Sequence, residues 1–259
     1  LLSQLTKKKV VYDFRQSDIK NGGQGAPLTP IFHNVIANQI NKEFNLKFPI
    51  NILNIGGISN VTITVAEKDL WHKNKIYAYD IGPGNCLIDE WIRKNSKMKF
   101  DNQGLVARSG KIDDLILNQA VENFSNCIDY NKSLDVKDFD IFFAKGLSLE
   151  NGAATITKFT SKLISDGMRY IHHKNESSTC KWLVCGGGRK NKYLIESIKD
   201  NFNEISIDPI EKYEIDGDFI ESQAFAFLAI RSLEGMAISY PSTTRCREPS
   251  TGGVVVKNF

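Results

Sequence analysis

Tyr79-Asp80-Ile81-Gly82-Pro83-Gly84-Asn85-Cys86-Leu87-Ile88-Asp89-Glu90-Trp91 is the stretch whose reading decides the fold. A β-rich run, Ile76 to Ile81, ends in a carboxylate and a glycine loop. A helical pattern then starts near Cys86 and runs to Asn95. In α/β folds, ligands sit where the carboxyl end of a strand meets such a loop and a helix N-terminus. The helix end favours phosphate, and Asp80 can act as a base or hold a metal. A turn that merely led into a helix would not need Asp80.

Working outward, the same alternation of β-branched runs and helical stretches recurs, the pattern of an α/β chain. Strands are expected at Val10 to Phe14, Ile50 to Ile55, Asn60 to Ala66, Trp182 to Cys185, Glu204 to Ile207 and Val254 to Val256. The Gly56-Gly57-Ile58-Ser59 stretch makes 50–55 and 60–66 an antiparallel hairpin, with 76–81 added after a turn at 68–74. Helices are expected at Lys111 to Asn123, Ala153 to His172, Lys192 to Asn201 and Phe219 to Leu233. The last carries Ile220, Ala224, Phe227, Leu228 and Ile230 as an apolar core stripe, with Glu221 in its first turn. Asp135, Asp138, Asp140 and Gly146 interrupt the apolar pattern and suggest a hinge at 135–152, dividing the chain into 1–140 and 141–259.

Three further glycine-rich segments accompany the first. Asp13-Phe14-Arg15, Asp18 and Gly22-Gly23-Gln24-Gly25 combine two carboxylates, a guanidinium and a flexible loop. Arg15 suits an acidic substrate group; the plainer alternative is a surface ion pair between Arg15 and Asp18. Gly56-Gly57, flanked by Asn54 and Asn60, serves equally as a bare turn or as a polar recognition loop. Gly186-Gly187-Gly188-Arg189-Lys190-Asn191 follows a strand, and three glycines let the backbone lie flat on a planar ligand such as a nucleobase. It matches neither a GxxxxGK[ST] phosphate loop nor a GxGxxG dinucleotide motif.

Composition narrows the classes. The 259 residues suffice for one large α/β domain or two lobes. A net charge of +3 with interspersed Lys and Asp/Glu gives no nucleic-acid footprint. No apolar run is long enough to span a membrane. The start, Leu1 to Thr6, is followed by Lys7-Lys8-Lys9 and then a strand-like run, the reverse of a signal peptide's order. Cys86, Cys127, Cys180, Cys185 and Cys246 form no CxxC pair and read as reduced thiols of a cytoplasmic protein, with no zinc site.

Taken together, "DFRQSDIKNGGQGAPLTPIFH" (13–33), "LNIGGISNVT" (53–62), "YDIGPGNCLIDEW" (79–91), "LVCGGGRKNKYL" (183–194) and "GDFIESQAFAFLA" (217–229) resemble the recurring blocks of the anhydro-N-acetylmuramic acid kinase family. They occur in the family's order across essentially the whole chain. The resemblance implies a two-lobed actin/Hsp70/sugar-kinase-like fold with mixed sheets. It implies 1–140 as the rest of the N-terminal lobe, with sugar- and phosphate-facing loops, and 141–259 as the C-terminal lobe, with the adenosine loop. The implied reaction opens the 1,6-anhydro ring of the sugar with water and phosphorylates O6 from ATP, with Mg²⁺, giving N-acetylmuramic acid 6-phosphate in cell-wall recycling.

Residue by residue, Asp80 matches the family's catalytic base and Glu221 an acidic residue near the sugar. Asp13, Arg15, Gly23, Gln24, Gly25 and Asn85 are implied on the substrate side, with Arg15 toward the lactyl carboxylate. Gly56, Gly57, Gly82, Gly84, Gly186, Gly187, Gly188 and Asn191 are implied on the nucleotide side. No residue is assigned to a metal, and the resemblance implies a homodimer on which the sequence is silent. The family's opening Gly-Thr-Ser-x-Asp-Gly phosphate segment has no counterpart here, so the first lobe is expected to be truncated. Its Lys-Ser-Thr-Gly-Arg-Glu stretch becomes Lys132-Ser133-Leu134-Asp135-Val136-Lys137, and its C-terminal Thr-Gly motif becomes Thr243-Thr244-Arg245-Cys246. The competing readings are a non-catalytic remnant acting as a sugar-binding or interaction module, and a kinase for an ordinary amino sugar.

Overall fold

The computed structural model describes residues 1–66, 76–125, 128–174, 181–202 and 206–258. Its strands are β1 (Val10–Tyr12), β2 (Ile50–Ile55), β3 (Ile58–Thr64), β4 (Tyr77–Pro83), β5 (Lys181–Cys185), β6 (Ile207–Pro209) and β7 (Val254–Val256). The helices are α1 (Leu2–Thr6), α2 (Arg15–Lys20), α3 (Pro30–Phe44), α4 (Cys86–Asn95), α5 (Leu105–Ser109), α6 (Asp114–Ser125), α7 (Leu149–Lys174), α8 (Lys192–Asn201), α9 (Ile220–Leu233) and α10 (Pro241–Thr244). The turn expected at 68–74, Cys127, Cys180 and Glu204 lie outside the described residues. Among the described residues, no helix is long and apolar enough to cross a membrane.

The larger sheet has the order β4-β3-β2-β5-β6. β2 and β3 are neighbours joined by two residues, which forces them antiparallel, since a parallel pair needs a crossover. β5 and β6 run parallel, pairing Trp182 with Ile207 and Val184 with Pro209. The chain is therefore a mixed α/β fold with a mixed sheet. β1 and β7 form a separate antiparallel pair, Val10 opposite Val256.

By packing, the chain forms two compact units: 1–50, 62–78 and 219–259 in the first, 51–61 and 79–218 in the second. The expected hinge at 135–152 and the division at 140 fall inside the second unit. The reason is α7, which packs on α4, α5, α6 and α8, so residues on both sides of 140 share one core. Ile81, Leu87, Ile92, Ile156, Leu163, Trp182 and Leu194 are fully enclosed there. In the first unit, Phe14, Leu28, Ile31, Ile76, Leu228, Ile238 and Tyr240 form the core.

Local chemistry sets the element ends. β1 stops at Tyr12 rather than Phe14 because Asp13 takes φ 55°, outside the strand region. Asp113 accepts the N–H of Ile116 (3.0 Å), so α6 starts at Asp114 rather than at Lys111. The stripe on α9 is corrected in one place. Ile220, Ala224 and Leu228 are buried, but Ile230 is 58% exposed and Arg231 takes the inward position at 5%. Its guanidinium is accommodated by donating to the Ala237 carbonyl (2.7 Å) and the Tyr240 hydroxyl (3.2 Å).

Arg245 also finds its reason. It follows α10 with φ 64°, the left-handed conformation that glycine adopts most easily after a helix. It donates to the carbonyls of Ser242 (2.9 Å) and Ala78 (3.3 Å). Arg245→Ala loses those bonds and keeps the strained backbone, whereas Arg245→Gly relieves the backbone. The glycine variant is expected to be the more stable of the two by about 1 kcal/mol in urea unfolding. Equal midpoints would reject the assignment.

Candidate functional site

In the second unit, three glycine turns meet at the ends of β2, β4 and β5. The N–H groups of Gly84 (2.8 Å) and Cys86 (3.3 Å) donate to the Gly57 carbonyl, and that of Asn85 donates to the Gly56 carbonyl (2.7 Å). Donors that would otherwise be orphaned ahead of α4 are thus committed to the β2–β3 turn. A side chain on Gly84 would stand 2.2 Å from the Gly56 oxygen, so this contact requires glycine.

The Gly186–Gly188 loop has a packing reason that the sequence did not show. A Cβ on Gly186 would stand 2.4 Å from Asn54 Oδ1, and one on Gly188 would stand 2.2 Å from Ile55 Cγ2. Both glycines let the loop close onto the end of β2. Arg189 fixes it, donating to the Gly186 carbonyl and Asp218 (2.9 Å each) and bonding Glu211. Asn191 is buried, and its oxygen accepts the N–H of Leu194 (3.0 Å), capping α8. Gly57 and Gly187 remain the exposed glycines of the cluster.

Asp80 lies in β4, 8% exposed, and its Oδ2 accepts the backbone N–H of Leu134 at 2.9 Å. Gly82, two residues on, packs within 3.2 Å of Leu163 Cβ, measured from the Cβ it lacks. Asn85 is half-buried at the start of α4, and its amide makes no hydrogen bond among the described residues. Its Nδ2 stands 3.7 Å from where a Cβ on Gly187 would be.

The first unit holds the remaining candidates. Asp13 is exposed at the end of β1, and Arg15 is exposed at the start of α2 with no ion pair among the described residues. Asp18 is not its surface partner, as one reading had it. Asp18 is 1% exposed, and it accepts the N–H of Gly25 (2.7 Å) and the hydroxyl of Thr244 (2.6 Å). The Gln24 N–H donates to the Thr244 carbonyl (2.8 Å), which stitches the Gly23-Gln24-Gly25 loop to α10. Glu221 is exposed in the first turn of α9.

Two elements of this arrangement went unassigned in the sequence. The Asp18–Thr244 bond joins residues 226 apart and carries no local signal. The Leu134 contact with Asp80 had one: Asp135 and Asp138 have the spacing of a reciprocal cap, which marks an ordered turn.

A profile described as anhydro-N-acetylmuramic acid kinase matches residues 1–258. The anhydro-N-acetylmuramic acid kinase of Pelagibacter ubique is 48% identical over 261 residues, covering 100% of this chain and 68% of that protein. That of Rhodospirillum rubrum is 38% identical over 253 residues, covering 98% and 63%. The chain belongs to the anhydro-N-acetylmuramic acid kinase family. It spans about two thirds of the length of these relatives. Among solved structures, the activator of the 2-hydroxyisocaproyl-CoA dehydratase from Clostridium difficile with bound ADPNP overlaps at TM-score 0.42 and 11% identity, over 78% of this chain and 68% of that one. In this chain, the blocks at 53–62, 79–91 and 183–194 are the segments that fold into the glycine cluster around β2, β4 and β5.

Proposed function

We propose that this protein works as an ATP-dependent anhydro-N-acetylmuramic acid kinase. Water adds to the anomeric carbon as the bond from that carbon to O6 breaks. The freed O6 takes the γ-phosphoryl group of ATP, and ADP and N-acetylmuramic acid 6-phosphate leave. The observation that carries this reading is Asp80: an enclosed carboxylate on β4, just before a strand end where three glycine turns interlock. Asp80 takes the proton of the attacking water. An enclosed base at a strand end has the setting of a general base.

The loops before residue 140 serve sugar and phosphates, and the loop at 186–191 serves adenosine. This is a division by role, not by packing. Gly57 faces the nucleotide phosphates in a turn shaped by Gly56, Gly82 and Gly84, Gly187 faces adenosine in a loop shaped by Gly186 and Gly188, and Asn191 supports that loop through its cap. Asn85, whose side chain makes no cap hydrogen bond among the described residues, serves the sugar. Asp13, Arg15, Gly23, Gln24, Gly25 and Glu221 serve it too, Arg15 through the lactyl carboxylate. Among the described residues no group of three or more His, Cys, Asp or Glu forms a metal cage. Mg²⁺ carried on ATP phosphates needs at most one or two protein carboxylates, so the acidic residues here fit it. When bound, it neutralises charge on the transferred group. The enzyme acts in the cytoplasm.

A coupled ADP-release assay tests the reading. ADP is expected with anhydro-N-acetylmuramic acid and not with N-acetylglucosamine. Release with both points to an ordinary amino-sugar kinase. Sugar binding without release points to a non-catalytic module.

A further inference from the structure

We propose that the turn Leu134–Asp138 is a positioning device for Asp80, with Asp135 and Asp138 as the residues that hold it; this rests on the kinase reading above. Two contacts carry the inference. The Leu134 N–H donates to Asp80 Oδ2 at 2.9 Å, which selects one orientation of the carboxylate. Val136 lies over the β2–β3 turn: a Cβ on Gly57 would stand 3.8 Å from Val136 Cγ2. One short turn therefore reaches both the proposed base and an exposed glycine of the proposed phosphate side.

What fixes that turn is local. Asp135 Oδ1 accepts the N–H of Lys137 (3.0 Å), and Asp138 Oδ2 accepts the N–H of Asp135 (2.7 Å), a reciprocal cap. Behind it, Leu134, Asp138 and Phe139 border a cavity of about 490 Å³ with Phe124, Phe143 and Phe159 on its other walls. On that side the turn runs into Phe139, which is buried and stacks on Phe124 with ring centroids 5.0 Å apart. Between that anchor and Asp80, the two exposed carboxylates fix the turn's shape and so set where the Leu134 N–H points. A base held by an amide whose own position is fixed is pre-oriented toward its proton, and small misplacements of such groups cost large factors in rate.

The test measures kcat, KM and amide exchange at Leu134 in the intact chain. Asp135→Ala and Asp138→Ala are expected to lower kcat by about tenfold or more, with KM for sugar and ATP changed by less than about twofold. Asp135→Asn and Asp138→Asn are expected to recover most of the rate, because a carboxamide oxygen accepts the same N–H. Leu134 amide protection should drop in Asp135→Ala and in Asp80→Ala and persist in the asparagine variants. Normal kcat alongside lost protection overturns the proposal, as does protection that no variant changes. If the parent chain turns over no sugar, the kinase reading of this chain fails. Exchange at Leu134 then decides the positioning claim alone: loss in both alanine variants sustains it, and retention rejects it.

Discussion

Asp80→Asn is expected to lower turnover of anhydro-N-acetylmuramic acid by about 10²- to 10⁴-fold, the range that a positioned general base contributes. The substitution is informative because it separates chemistry from architecture. An asparagine oxygen still accepts the Leu134 N–H, so the turn over the site keeps its anchor. The backbone bonds from Gly84, Asn85 and Cys86 to the Gly56–Gly57 turn do not involve the side chain at all. Nucleotide affinity, measured by titration calorimetry with a non-hydrolysable ATP analogue, should therefore change little. Thermal unfolding should remain close to that of the parent. A fall of less than about tenfold would remove Asp80 from the role of base, since no positioned proton acceptor is that dispensable. A loss of nucleotide binding together with rate would instead assign Asp80 to the phosphates or their metal.

The site was legible to the extent that its residues announce themselves locally. A strand, an acid, a glycine turn and a helix within thirteen residues form a pattern that side-chain periodicity and glycine spacing expose. α4 and α8 occupy the spans expected for them, and β2 does so to the residue. What stayed hidden depended on partners distant in sequence. α3 was not read as a helix because its inward face mixes Ile31, Ile36 and Ile40 with His33, Asn34 and Asn38, which breaks the apolar stripe. Those polar groups are paired with β3 and its end: His33 Nδ1 with Thr62 Oγ1 (2.8 Å), Asn34 Oδ1 with the Val65 N–H (2.9 Å), and Asn38 Nδ2 with the Val65 carbonyl (3.1 Å). Burial pushes the His33 imidazole down to about 4, so it packs there as a neutral ring. The triple glycine also has a packing role that was hidden in the sequence. Two of the three are required by the approach of Asn54 and Ile55, a contact that no local pattern encodes.

The second large effect concerns Asp18, whose substitution by alanine is expected to destabilise the first unit by about 3–5 kcal/mol. The carboxylate is 1% exposed and takes two donors, the Gly25 N–H at 2.7 Å and the Thr244 hydroxyl at 2.6 Å. A hydrogen bond to a charged group contributes about 1.5–3 kcal/mol, and removing the acceptor leaves a buried N–H and a buried hydroxyl to find other partners. The loss would spread through neighbouring contacts. The Asn21 amide donates to the Glu248 carbonyl (2.6 Å), and the Arg247 N–H donates to the Asn21 carbonyl (3.0 Å), so both sides of this seam move together. Asp18→Asn keeps one oxygen for Gly25 and offers an amide to Thr244, whose hydroxyl can reverse and accept; its expected cost is only about 1 kcal/mol. Urea unfolding of both variants decides the matter. An alanine variant within about 0.5 kcal/mol of the parent would mean that these two hydrogen bonds add little to stability. A large alanine effect with a small asparagine effect would identify Asp18 as the acceptor that shapes the Gly23-Gln24-Gly25 loop. In that case the asparagine variant, still folded, should raise KM for the sugar more than it lowers kcat, because only the placement of the loop has changed.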